Sequence, residues 1–275
     1  MATWPKLVSA CAEGMRSARA EAATATGVRI NRVMGGRTSR AITNLADRFA
    51  FRFCLFRVEK STSFPSFASP MSEITTYTGG IAATNGHYLS LPGGHVLVDA
   101  PDGIAGWLKK QNLRVDALFL THQHFDHVLD AAAVKTQHGC RVYAFAPFSR
   151  ELTLERLYGA MTGSSFSVPD FEVDEVLEGK DTLNAIGETW RLYHVPGHSP
   201  DSVCFQLEAQ NLLFGGDVLF LDGIGRTDFP GGSTEQLLSG IETKLFTLPD
   251  ATRVFPGHGD DTTIGRERLE NPFLA

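Results

Sequence analysis

Cysteine is scarce in this 275-residue chain, and Cys11, Cys54, Cys140 and Cys204 include no C-x-x-C pair. That layout excludes a zinc ribbon and a disulfide framework, and it fits reduced thiols in a cytoplasmic protein. No stretch of 18 apolar residues occurs, so no membrane span is expected. The most apolar part of the first 70 residues, 49–58, is interrupted by Arg52 and Arg57, unlike the apolar segment of a secretory signal. Internal repeats and low-complexity segments are also lacking. With 43% hydrophobic and 20% charged residues, the composition excludes collagen-like, coiled-coil and wholly disordered chains.

Charge is unevenly distributed. Residues 1–70 hold 11 Lys+Arg against four Asp+Glu, whereas residues 71–275 hold 14 against 27. The sequence therefore divides into a basic extension, 1–70, and an acidic domain, 71–275, of net charge −13. Such an acidic domain disfavours a nucleic-acid partner. The extension, rich in Arg, Ser, Thr and Ala, has three readings: an organellar targeting segment, a weakly structured extension, or residues foreign to a working protein that starts at Met71. The last is favoured, and 1–70 is expected to be disordered or non-native.

Beyond residue 71, short apolar runs alternate with helical patterns. Strands are predicted at 74–78, 88–91, 95–98, 117–120, 141–144, 189–195, 202–207, 211–214 and 252–255. Helices are predicted at 103–111, 128–138 and 234–246, the last capped by Ser233 with Gln236 completing a capping box. Many strands with few long helices imply two packed sheets with helices outside. Four of these apolar runs lead straight into a turn bearing His or Asp. They are 115–120 into T-H-Q-H-F-D-H (121–127), 192–195 into P-G-H198, 212–214 into G-G-D217, and 254–255 into P-G-H258. Groups at the carboxyl ends of strands in α/β sheets converge on one site.

Imidazole and carboxylate are preferred ligands of zinc and similar ions. His122, His124, Asp126 and His127 lie within six residues, and His198, Asp217 and His258 bring the candidate ligands to seven. Seven exceed one tetrahedral site and suit two divalent metals sharing a carboxylate. Such ions, about 3.5–4 Å apart, hold a bridging water whose pKa falls toward about 7. That water would serve as the nucleophile of a hydrolase. Zinc fits this donor set, as do iron and manganese.

The order H-x-H-x-D-H, G-H, G-D, G-H resembles the metallo-β-lactamase-fold hydrolases over about residues 74–274. The stretches G-I-G-R-T-D-F-P-G-G (223–232), P-G-H-G (256–259), T-T-I-G (262–265) and N-P-F-L (271–274) are most similar to single-domain bacterial glyoxalase II-like proteins, the hydroxyacylglutathione hydrolase type. The resemblance implies an α/β architecture, an αββα four-layer sandwich, with the site at one edge of the sheets. It implies that His122, His124 and His198 hold one metal, that Asp126, His127 and His258 hold the other, and that Asp217 bridges them. It further implies that a hydroxide attacks a thioester carbonyl, with Asp126 orienting the hydroxide as the catalytic residue. The partner would be a small-molecule thioester, glutathione-linked in the family.

Departures from the pattern lie in G-R-T-D. Two-domain glyoxalase II enzymes carry Lys and Tyr where this chain has Arg226 and Asp228. Arg226 is a candidate for a substrate carboxylate, or else pairs with Asp228 to shape the loop, which is the favoured reading. A mononuclear iron persulfide dioxygenase, with His122, His198 and Asp217 as a facial triad, is the alternative function. A dedicated β-lactamase is disfavoured, because such enzymes place Cys or Ser where Asp217 stands. Outside the ligand set, Asp99 is expected to brace the first ligand loop, and His194 is a candidate to support the ligands from behind. His138, Trp107, Tyr143 and Phe145 are read as structural.

Overall fold

The computed structural model describes residues 72–163 and 166–274. The expected extension over 1–70 therefore lies outside the described residues. Two six-stranded sheets form the centre. The first contains, in spatial order, β1 (Glu73–Gly79), β2 (Thr84–Leu91), β3 (Gly94–Val98), β4 (Ala117–Phe119), β5 (Arg141–Ala144) and β6 (Glu175–Val176). Its first three strands pair antiparallel and the rest parallel. The second comprises β7 (Thr182–Ala185), β8 (Glu188–His194), β9 (Val203–Leu207), β10 (Leu212–Gly216), β13 (Arg253–Pro256) and β14 (Thr262–Thr263), in the order β14-β13-β10-β9-β8-β7. A small hairpin, β11 (Leu219–Phe220) and β12 (Gly223–Ile224), stands apart.

Alternation along each strand divides the apolar residues among three clusters. Between the sheets, Val96, Val98 and Phe119 meet Trp190, Phe205 and Phe214. On the outer face of the first sheet, Leu97, Leu118 and Val142 pack against α1 (Ile104–Gln111) and α3 (Ala131–His138). On the outer face of the second, Cys204, Leu213 and Val254 pack against α6 (Thr234–Gly240) and α7 (Ile264–Glu270). These four layers are the expected αββα sandwich, with helices α2 (Phe125–Val128), α4 (Arg150–Thr153) and α5 (Glu155–Thr162) in its connections.

Several predicted boundaries change. The helix predicted at 128–138 is two, α2 and α3, broken at Leu129–Asp130. There Asp130 N–H donates to the Ala100 carbonyl and its carboxylate accepts from Ala105 N–H, so tertiary hydrogen bonds replace helical ones. β2 begins at Thr84 rather than 88, because the polar Thr84, Asn85 and His87 are buried against the second sheet. His87 bonds both Thr76 Oγ1 and the Pro256 carbonyl at 3.0 Å. Ser233 caps α6 as expected, accepting from Gln236 N–H. The predicted helix then continues through a π-helical turn, Ile241–Leu245.

Candidate metal centre

All four His- and Asp-bearing turns sit at the carboxyl ends of strands: β4 in the first sheet, and the mutually parallel β8, β10 and β13 in the second. The turn after β4 runs through His122 and His124 into α2, which carries Asp126 and His127. His198 follows β8, Asp217 follows β10 and His258 follows β13. All seven predicted ligands come together. Ring centroids lie 4.5 Å apart for His122–His124, 4.5 Å for His124–His198 and 5.4 Å for His127–His258. Three groups with ligand atoms within 4.8 Å of one another emerge: His122/His124/His198, His122/His127/Asp217 and Asp126/His127/His258.

Asp217 stands between the groups. Its Oδ1 lies 3.3 Å from His127 Nε2, and its Oδ2 lies 3.5 Å from His198 Nε2 and 3.3 Å from His258 Nε2. The close approach depends on Gly257, where a Cβ would fall 2.3 Å from Asp217 Oδ1 and 2.5 Å from His127 Cε1. No side chain larger than hydrogen fits there.

The surroundings aim the ligand nitrogens. Asp99, buried at a left-handed φ of 61°, accepts from Thr121 N–H (2.8 Å), Thr121 Oγ1 (2.7 Å) and His127 Nδ1 (2.9 Å). His122 Nδ1 meets Thr121 Oγ1 at 3.1 Å, and His198 Nδ1 donates to the Arg226 carbonyl at 2.8 Å. A hydrogen bond on Nδ1 leaves the lone pair on Nε2, the tautomer a metal requires. His122 Nε2, His127 Nε2, His198 Nε2 and Asp217 Oδ1 are all buried without a hydrogen-bond partner. Leaving such a group unsatisfied costs about 1–3 kcal/mol. Four of them facing one space, all imidazole or carboxylate, fit divalent cations.

The electrostatics divide the cluster. Burial pushes His122 well below the usual imidazole value and takes His124 down to about 3, so both are neutral imidazoles. Burial lowers His198 as well. At His258 burial is outweighed by Asp217 and Asp126, which raise it to about 10, and carboxylates likewise raise His127. Burial would raise Asp217 and Asp126, but the neighbouring imidazoles hold both well below the carboxylate range. One half of the site thus already presents neutral imidazoles. The other holds protons that a cation would displace.

Other predicted residues are placed as follows. Arg226 Nε and Nη2 pair with Asp228 at 2.6 Å each, and its guanidinium lies 4.1 Å above Phe229. Phe229 in turn meets His124 edge-on at 5.8 Å. The part of Arg226 that touches a candidate ligand is its carbonyl. His194 is not brought to the cluster; it stacks on Phe145 at 3.9 Å and bonds the Pro200 carbonyl, closing the loop that contains His198. Two supports escaped sequence reasoning. Thr84 Oγ1 donates to Asp126 Oδ2 at 2.8 Å, and Asp201, its carboxyl pushed up to about 6 by burial, accepts from Ser199 Oγ beside His198. Thr84 acts across a fold contact, and the neighbouring Ser199 and Asp201 gain their role only by being buried together, which no local pattern shows.

Comparison with known proteins agrees with this geometry. A hydroxyacylglutathione hydrolase, GloC, of Haemophilus influenzae is 36% identical over 173 residues, 61% of this chain and 79% of the relative. The crystal structure of the BLEG-1 B3 metallo-β-lactamase superposes with TM-score 0.65 and 33% identity, over 74% of this chain and 99% of that one. A di-iron-bound form of TTHA1623 superposes with TM-score 0.63 and 31% identity, over 73% and 100%. Residues 83–258, from just before β2 to the last histidine of the cluster, match the common pattern of one family, and the chain belongs to the metallo-beta-lactamase superfamily.

Proposed function

We propose that the protein is a dinuclear metal-dependent hydrolase, a thioesterase of the hydroxyacylglutathione hydrolase type. The observation that carries this reading is the set of unpartnered buried donors within a seven-residue His/Asp cluster. His122, His124 and His198 would hold one ion, and Asp126, His127 and His258 the other. Asp217, which faces both sides, would be shared. Zinc suits these donors, and iron or manganese is accepted by the same set. When bound, two such ions supply the Lewis acidity that activates water and polarises an acyl carbonyl.

The remaining work falls to the chain's own residues. Asp126 is assigned to orient the attacking water; its Oδ2 is held by Thr84 Oγ1 and lies 3.3 Å from His258 Nε2, which limits its rotation. Asp99 holds His127, and the Arg226 carbonyl holds His198, in the ligating tautomer. Arg226, paired with Asp228, is assigned to shape the loop that presents its carbonyl to His198. A small thioester is supported as substrate class by the relative described as a hydroxyacylglutathione hydrolase.

The second reading is a mononuclear iron persulfide dioxygenase, supported by the mutual approach of His122, His198 and Asp217, with His122 and His198 rings 5.0 Å apart. Hydrolysis of S-lactoylglutathione, measured beside oxygen uptake with glutathione persulfide and the protein's metal content, separates the two. Thioester turnover without oxygen uptake, with two metals per chain, is expected. Oxygen uptake with one iron per chain contradicts the hydrolase. Nitrocefin is included because a 33%-identical relative is described as a B3 metallo-β-lactamase; its turnover in preference to the thioester would move the substrate class to β-lactams.

A further inference from the structure

The T-T-I-G and N-P-F-L stretches contribute no ligand to the cluster, yet the fold ties them to it through the β11–β12 hairpin. The base of that hairpin lies at the cluster. Asp217 lies two residues before it, and Gly225 immediately follows it, so close that a Cβ there would fall 1.9 Å from the Asp217 carbonyl oxygen and 3.1 Å from His198 Cβ. The next residue, Arg226, offers its carbonyl to His198 Nδ1 at 2.8 Å.

The tip of the hairpin is gripped by α7. Asp222 N–H donates to Glu267 Oε2 at 3.0 Å, and Asn271 Nδ2 donates both to the Gly223 carbonyl (3.0 Å) and to Glu267 Oε2 (2.9 Å). Thr262 Oγ1 and Arg266 Nη1 occupy Glu267 Oε1 at 2.5 and 2.8 Å. Arg266 also pairs with Asp222 at 2.8 Å. Glu267 is wholly buried, and a buried carboxylate is a poor way to dock a helix. Ile264, in the apolar cluster below the second sheet, already serves that purpose. What the polar set adds is direction: four donors from three places fix where the tip sits.

We propose that Glu267 and Asn271 are positioning residues for the metal centre. They hold the hairpin tip so that its base presents the Arg226 carbonyl to His198 Nδ1. The proposal rests on the dinuclear reading above. Asn271→Ala removes the bond to Gly223. Glu267→Gln places an amide NH2 against two donors whichever way it turns, because each carboxylate oxygen accepts from two. Leu269→Ala, on the exposed side of the same helix, is the control.

Stepwise zinc affinities are measured by chelator competition on the full chain, beside thermal unfolding and the NMR signal of the His198 Nδ1–H. Wild type and Leu269→Ala are expected to bind two equivalents alike. In Asn271→Ala and Glu267→Gln one equivalent is expected to weaken about tenfold or more, the other to change less than threefold, and the Nδ1–H signal to shift or vanish. If Glu267→Gln does not fold, Asn271→Ala decides. Unchanged affinities in a folded variant, or an equal loss of both, would overturn the proposal alone. Failure of wild type to bind zinc, iron or manganese would overturn the dinuclear reading and this proposal with it.

Discussion

At the scale of single residues, the site depends on which nitrogen of each imidazole is occupied from behind. Asp99 spends one carboxylate on Thr121 and His127 together, so it orders the turn and a ligand at once. Asp99→Asn replaces one acceptor oxygen by a donor, and a 10–100-fold fall in metal affinity is expected, the usual effect of losing such a support. Equilibrium dialysis measures it; an affinity within threefold of wild type contradicts the role. The protons on the carboxylate side make a second prediction. His258, held at about 10 by Asp217 and Asp126, carries its proton at pH 7 and must lose it to ligate. Zinc uptake should therefore release at least one proton per chain at pH 7, and affinity should rise with pH toward 10. Calorimetry in buffers of different ionisation enthalpy reads the proton count, and buffer-independent heats contradict it. These seven candidate ligands were legible in sequence because each of the four turns that bear them follows an apolar run. Thr84, Asp201 and Glu267 were not, because a polar residue that is buried reads as a surface one until its partners are known.

Among the elements, most strands with clear alternation or a full apolar run were legible, though the short alternating β7 was not predicted, and helices with an apolar face were legible where that face was long enough. α5 escaped because its one buried residue is Glu155, and α7 because it buries Ile264 and Glu267 only. β6, β11, β12 and β14 are two residues each, too short to show a period. The break between α2 and α3 was invisible for another reason: Asp130 leaves the helix to bond Ala100 and Ala105, partners distant in sequence. Turns after the strands carry the candidate ligands, and Gly257 is one of their tightest points. Gly257→Ala should push Asp217 and His127 apart and lower metal affinity at least tenfold, while the circular dichroism of the sheets stays as in wild type. An alanine variant with wild-type affinity would mean that the turn yields more easily than the 2.3 Å approach implies.

Across the whole molecule, the candidate site lies entirely beyond the charge divide near residue 70. Every candidate ligand and every strand of the two sheets lies beyond it, in the part of net charge −13. A chain started at Met71 is expected to fold and take up metal as the full chain does; loss of either assigns residues 1–70 a part in the domain. Among the described residues no helix is long and apolar enough to cross a membrane. The sandwich, the four convergent turns and the unpartnered donors lead to one central claim: seven residues form a site for two divalent ions. Metal content per chain tests it most directly, measured by plasma mass spectrometry on the purified protein and on Asp217→Ala. Two ions per chain in the first and at most one in the second is the predicted result, and full occupancy without Asp217, or a single ion in wild type, would contradict the claim.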